Sequence, residues 1–178
     1  MTFRIRPAAA TDLPFLAEMF ARTIPEVYRD IVPAHELSGR VGNVVETLML
    51  HWPNARICEV APPWPAHAWP DADDPLAPFT HGRLAGMALV VNGSHVSLLW
   101  VDTPHRRKGA GLLLLRDAER RVAKGGFRSA TLEVYADNVP ALRFYEACGW
   151  EVEREFIGQM GAKVYAMRKV LCDCAACP

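Results

Sequence analysis

Six consecutive residues, Arg106-Arg107-Lys108-Gly109-Ala110-Gly111, have the types and spacing to hold an anion. They follow an apolar run ending at Val101 and precede Leu112 to Leu115, which predicts a strand, a short basic turn and a helix that opens near Gly109. The first N–H groups of a helix have no intrahelical partner, and the macrodipole places partial positive charge at the same end. Several amides can therefore hold one phosphate. Gly109 and Gly111 lack a Cβ, so such a group can come close to the main chain. Two other phosphate loops do not fit. A P-loop would close on Gly-Lys-Ser/Thr, and leucines follow Gly111. A dinucleotide fingerprint would need a third glycine where Leu114 stands.

The elements that must position this turn can be read in chain order. Phe3 to Arg6 alternates apolar and polar residues and suits a first strand stopped by Pro7. Thr11 is placed to cap a helix whose buried stripe is Leu13, Leu16, Ala17 and Phe20, with Pro14 in the first turn. Pro25 and Pro33 make Thr23 to Ala34 read as a loop, and a second helix carries Leu37, Val41, Val44, Val45 and Leu48 on one face, weakened by Gly39 and Gly42. A strand over Ala55 to Val60 leads into a proline-rich insert, 62–80, which excludes helix and central strand. Gly82 to Val91 and His95 to Val101 form a hairpin about Asn92-Gly93. The helix from Gly109 buries Leu112, Leu115, Ala118 and Val122 and stops at Gly125-Gly126. A strand over Ala130 to Tyr135 presents Ala130, Leu132 and Val134 on one face and Thr131, Glu133 and Tyr135 on the other. Asn138 caps a short helix with Ala141, Phe144, Tyr145 and Cys148 on one stripe, and two closing strands come next, over Glu151 to Ile157 and Lys163 to Val170.

Composition narrows the classes of function. The 178 residues suit one domain, and 51% hydrophobic content supports a real core. Lys plus Arg and Asp plus Glu number 20 each, so bulk attraction to nucleic acid or an anionic membrane is not expected. No apolar run approaches the ~18 residues that span a bilayer, and the N-terminus lacks an export signal, so a soluble cytoplasmic protein is expected. The five cysteines are odd in number and suggest no disulfide framework. Three of them, Cys172, Cys174 and Cys177, crowd the last seven residues, which read as a frayed tail; a closed zinc site would want a fourth ligand, so no metal is expected.

The R-x-x-G-x-G turn resembles the acetyl-CoA-binding motif of the GCN5-related N-acetyltransferases, the GNAT superfamily. Thr131 to Trp150, TLEVYADNVPALRFYEACGW, resembles the second signature block of the same superfamily, N-x-x-A-x-x-x-Y-E-x-x-G-F, with Asn138, Ala141, Tyr145, Glu146, Gly149 and Trp150 in the named places. The likeness is specific over residues 95–157. The first block departs from it in having Thr103 where proline is usual, with Pro104 one place later, and Arg107 where a small residue is common. The resemblance implies an α/β fold of the α+β type: one domain over residues 1–171, with a mixed, mostly antiparallel sheet of about six to seven strands flanked by about four helices, and a separate tail 172–178. It also implies that the main chain of Leu99, Trp100 and Val101 pairs with the pantetheine arm of acetyl-CoA. Arg107, Lys108, Gly109, Ala110, Gly111 and Leu112 would wrap the pyrophosphate, Arg106 would join them in binding the cofactor, and Asn138 would touch the arm.

Acetyl transfer from a thioester to an amine sets three tasks. The amine must be neutral, the carbonyl oxygen must be stabilised as charge builds, and the leaving thiolate gains from a proton. A backbone N–H near Val101 suits the second task, worth roughly 3–4 kcal/mol in comparable oxyanion holes. Tyr145, two helical turns beyond Asn138, is the candidate acid, since a phenol with a pKa near ~10 stays protonated. Glu133 occupies the place of the base in the ribosomal-protein alanine acetyltransferases of the superfamily, within a similar L-E-V-x-x-x-N run; Tyr135 and Asp102 are further candidates for that role. The expected activity is direct transfer to a primary amine of a small molecule or a peptide N-terminus, with a homodimer left open. The alternative is a non-catalytic CoA-binding sensor or interaction module. Acceptor choice is expected from Thr23 to Glu36, the proline-rich insert and the Phe156 to Lys163 connection.

Overall fold

The computed structural model describes residues 2–61, 84–158 and 161–171. Seven strands form one sheet in the order β1-β2-β3-β4-β5-β7-β6: β1 (Phe3–Pro7), β2 (Ala55–Val60), β3 (Leu84–Val91), β4 (His95–Val101), β5 (Ser129–Tyr135), β6 (Glu151–Ile157) and β7 (Lys163–Val170). Every neighbouring pair is antiparallel except β4 and β5. Helices α1 (Leu13–Tyr28) and α2 (Ala34–Leu50) cover one face, burying Phe20, Ile24 and Leu48 against Ile57, Met87, Leu89 and Trp100. Helices α3 (Ala110–Lys124) and α4 (Val139–Ala147) cover the other, over Val96, Leu132 and Met167. The expected α+β sheet with four helices is therefore present. The insert 62–80 and the cysteine tail 172–178 lie outside the described residues.

Three expectations are corrected. Thr11 does not cap α1: residues 10–12 form a short 3-10 turn, and the side chain at work is Asp12, which accepts from the Ala9 N–H at 2.8 Å and from both terminal nitrogens of Arg6 at 2.7 Å. Arg6 and Arg4 also pair with the buried Glu59 across β1 and β2, a network that holds the Arg6 proton far above its usual range, chiefly through the bond to Asp12. The second correction is the length of α1, which runs through Pro25 to Tyr28. An internal proline costs a helix ~3 kcal/mol, but Thr23 and Ile24 beside it are fully buried, and burying a large aliphatic chain returns about 1.5–3 kcal/mol. The third concerns α3, whose buried row is Ala110, Leu114, Leu115, Ala118 and Val122, while Leu112 is 36% exposed. The helix lies over β1 to β4, so positions 110, 114 and 118 meet the sheet and 112 turns toward α4.

Local chemistry fixes the turns. Asn92 (φ 50°) and Gly93 (φ 76°) take left-handed conformations within the three-residue turn 92–94 that joins β3 to β4. Gly126 (φ 84°) follows the end of α3 in the same region.

Candidate active site

The site begins where two parallel strands part. β4 and β5 pair only through His95 with Thr131 and Val96 with Leu132, after which they diverge. Just beyond the last pair, β4 carries a bulge: Leu89 faces Leu98 and Val90 faces Val96, which leaves Ser97 as the extra residue. The bulge reverses the facing of the residues after it. Val96 packs toward α3 and α4, whereas Leu98 and Trp100 pack toward α1 and α2. The main chain of Trp100 turns to β3, since a Cβ on Gly86 would collide with its carbonyl oxygen and the Asp102 N–H donates to Ala85 at 2.9 Å. Alternation then directs the polar groups of Leu99 and Val101 into the gap left by β5. Of the three residues expected to offer main chain to an extended ligand, these two can do so, while Trp100 contributes its side chain to the opposite face.

The basic turn sits at the mouth of this gap. Arg107 (φ 62°) and Gly109 (φ 95°) both adopt left-handed conformations, which curl successive amides into a concave anion site. Leu113 makes the first intrahelical bond, to the Gly109 carbonyl at 3.0 Å, so the N–H groups of residues 109–112 have no partner within α3. No atom lies within 4 Å of a Cβ built on Gly109. The concavity fits a diphosphate. The side chains work otherwise than their charges suggest: Arg106 donates from Nε to the Val101 carbonyl at 3.1 Å, and Lys108 folds onto the Pro104 carbonyl at 2.7 Å. Arg107 is exposed. The floor is Gly111, where a Cβ would stand 3.5 Å from Val101 and 3.6 Å from Phe144.

Helix α4 closes the far side. Asn138 caps it, accepting from the Ala141 N–H at 3.3 Å, with a proline in the first turn. Tyr145 is 8% exposed and packs against Phe144 and Trp150, at centroid distances of 5.3 and 6.1 Å. Burial pushes its phenol well above the ordinary range, with Tyr28 and Cys148 adding to the shift, so it keeps its proton. A groove of about 430 Å³ between α3 and α4, lined by Leu112, Arg116, Phe144 and Cys148 among others, continues outward from the helix mouth.

Glu133 and Tyr145 stand on opposite faces of the sheet. Tyr145 belongs to the core beneath α3 and α4, together with Leu132 and Val134. Glu133 alternates with those residues and is exposed on the other face, where its charge partly offsets the burial that lowers the pKa of His95. Asp102 accepts from Arg22 at 2.8 and 3.0 Å, and Tyr135 accepts from Arg40 at 2.8 Å. Three residues of this face were not singled out in the sequence, although Thr23 and Tyr28 fall within the stretch Thr23 to Glu36 expected to set acceptor choice. Thr23 accepts from Trp100 Nε1 at 2.6 Å and donates to the Met19 carbonyl, fixing the indole. Tyr28 spans the parted strands, its ring 5.9 Å from Trp100 and 5.5 Å from Tyr135. Arg40 lies over both tyrosines. The spacing Leu16, Phe20, Ile24, Tyr28 continues the buried stripe of α1 past Pro25 and was the available signal.

Comparison with known proteins bears on this geometry. The family model described as Acetyltransferase (GNAT) family matches residues 44–150. No curated protein matches the chain in sequence. Among solved structures, the PaiA N-acetyltransferase of Thermoplasma acidophilum in complex with coenzyme A aligns with a TM-score of 0.69 at 18% identity, covering 96% of this chain and 99% of that one. A GCN5-related N-acetyltransferase from Rhodopseudomonas palustris aligns at 0.72 and 14% identity, covering 96% and 97%. The ribosomal-protein-S18-alanine N-acetyltransferase of Escherichia coli aligns at 0.58 and 18% identity, covering 96% and 94%. Among the described residues, no helix is long and apolar enough to cross a membrane and no group of three or more His, Cys, Asp or Glu side chains could hold a metal ion.

Proposed function

This chain belongs to the GNAT acetyltransferase family, and from that premise we propose that it transfers an acetyl group directly to the primary amine of a small molecule or of a peptide N-terminus. It is an acetyltransferase, and acetyl-CoA is its acetyl donor. The donor brings an activated carbonyl and a thiolate leaving group; the chain's own residues supply the rest. The observation that carries the proposal is that a strand end with unpaired main chain opens directly beside the amide concavity of α3.

The N–H groups of residues 109–112 hold the diphosphate, with Arg106 keeping the turn closed on β4. Leu99 and Val101 bind the arm through their main chain, as an added strand would be bound. The Val101 carbonyl is already taken by Arg106, which leaves its N–H for the thioester oxygen. Asn138 positions the start of α4 alongside the arm. Leu112 and Arg116 offer the outer groove to the nucleotide end.

Tyr145 is the acid. Its buried, fully protonated phenol gives a proton to the departing sulfur as the C–S bond breaks and the C–N bond forms. Glu133, on the acceptor's side of the sheet, takes the proton lost by the amine, directly or through water. The two groups need no contact with each other, since cofactor and acceptor meet through the gap between β4 and β5. Incubating the protein with acetyl-CoA and a panel of amines while following thiol release tests the proposal: release with at least one amine supports it, and binding of acetyl-CoA without release from any amine identifies a non-catalytic sensor.

A further inference from the structure

The Val101 N–H, which is left to meet the thioester oxygen, forms one rigid unit with the Trp100 carbonyl. The peptide between them is trans, so the two groups point in opposite directions and neither turns without the other. Whatever fixes the carbonyl therefore aims the N–H. Two residues fix it from opposite sides, and neither belongs to the basic turn, the gap or α4. The first is Gly86 in the middle of β3, opposite Val101 in the strand register. Glycine inside a strand is destabilising relative to alanine, and the φ of Gly86 is not positive, so conformation is not the reason for it. What Gly86 supplies is room. The Trp100 carbonyl oxygen stands where a Cβ at position 86 would be, and that Cβ would also lie 3.1 Å from Val101 Cα. These neighbours are backbone and cannot swing aside, so any side chain here would push the end of β4 off β3. The second residue is Thr23 on α1, which is fully buried. Its one hydroxyl proton goes to the Met19 carbonyl at 2.6 Å, which leaves a lone pair for Trp100 Nε1, also at 2.6 Å. Phe20 and Tyr28 confine the indole, at centroid distances of 5.8 and 5.9 Å. The side chain of Trp100 is thus set from α1 and its carbonyl from β3.

We infer that Gly86 and Thr23 are positioning residues for acetyl transfer: together they hold the Trp100–Val101 peptide so that its N–H meets the acyl oxygen as charge builds there. The inference rests on the acetyl transfer reading and adds to it two residues that act through Trp100 rather than on the reacting atoms. An oxyanion donor works by being aimed in advance at the place where charge appears, so a small tilt of the peptide lowers the rate more than it weakens binding. The residue after Val101 is tied to the same two elements, since the Asp102 N–H donates to the Ala85 carbonyl of β3 at 2.9 Å and its carboxylate accepts from Arg22 of α1. Thr23→Val keeps the shape of the side chain and removes the acceptor. A buried indole N–H left without a partner is costly, and the ring turns to find one, taking its peptide with it.

The test compares acetyl-CoA with S-ethyl-coenzyme A, which carries a methylene in place of the carbonyl. The wild-type enzyme should bind acetyl-CoA more tightly by roughly 2- to 10-fold, the effect of one neutral hydrogen bond. In Thr23→Val that preference should vanish, while the affinities for coenzyme A and S-ethyl-coenzyme A stay in place. With an amine that the wild-type enzyme acetylates, kcat should fall roughly 10- to 100-fold, short of the roughly 10²- to 10³-fold that loss of a whole donor costs. Thr23→Ser keeps the hydroxyl and should restore both readouts. Gly86→Ala should repeat the Thr23→Val pattern, and the two Thr23 variants carry the test if it does not fold. Equal losses of affinity for all three ligands in Thr23→Val would reduce Thr23 to a brace for the core and overturn the inference, as would a kcat and a preference like those of wild type. A wild-type enzyme that binds acetyl-CoA and acetylates no amine overturns the transfer reading itself.

Discussion

Gly111→Ala should make the fold more stable and the cofactor site worse. The added methyl would stand 3.5 Å from the Val101 side chain and 3.6 Å from the Phe144 ring, both ordinary contacts, so the native packing admits it without displacement. As the second residue of α3, alanine also loses less conformational entropy on folding than glycine. The expected gain is about 0.5–1 kcal/mol, or about 1–4 °C in Tm for a domain of this size. The same methyl occupies the floor between β4 and α4 over which a ligand held by the neighbouring amides must pass. Displacing one charge-assisted hydrogen bond costs about 1.5–3 kcal/mol, which weakens coenzyme A binding roughly 10- to 150-fold. Calorimetric titration with coenzyme A, paired with thermal denaturation of the unliganded protein, reads both quantities. A variant with raised Tm and unchanged affinity would refute the proposed path of the cofactor.

Tyr145→Phe should slow transfer by roughly 10²- to 10⁴-fold at unchanged coenzyme A affinity, because the ring keeps its contacts with Phe144 and Trp150; single-turnover rates and titration separate the two effects. Since burial raises the Tyr145 pKa, the proton-bearing form that acts persists above the ordinary phenol value of ~10. The pH–rate profile should then show no alkaline fall between about pH 8 and 10 that disappears in Tyr145→Phe. Glu133→Gln should lower kcat by roughly 10- to 100-fold near neutral pH and less as the amine deprotonates unaided at higher pH; a profile parallel to wild type would remove Glu133 from the chemistry. Asp12→Asn leaves Arg6 without its forked partner and should cost about 2–3 kcal/mol in urea unfolding, below the usual value for a buried pair because Arg6 is partly exposed.

The parts of the site that depend on residue type at fixed spacing were legible before any coordinates. Arg106 to Gly111 followed by a leucine run could only open a helix, and Asn138 with Pro140 could only begin one, because φ preference and capping are local properties. Features that depend on packing were not. The bulge at Ser97 leaves no mark on the alternation of β4, yet it decides that Trp100 faces α1 and α2 while Val96 faces α3 and α4. Pro25 suggested a helix end and a loop over Tyr28, yet α1 runs on to that residue, because burial of Thr23 and Ile24 outweighs a local rule. Arg106 and Lys108 looked like ligand-seeking charges, and their heads fold back onto the Val101 and Pro104 carbonyls just upstream.

An amide-resolved NMR titration of the wild-type protein with coenzyme A tests the central claim most directly. The N–H signals of Gly109, Ala110, Gly111 and Leu112 should undergo the largest shifts, with Leu99 and Val101 next. Saturable binding that leaves these signals in place, or no binding at all, would contradict a diphosphate held at the mouth of α3.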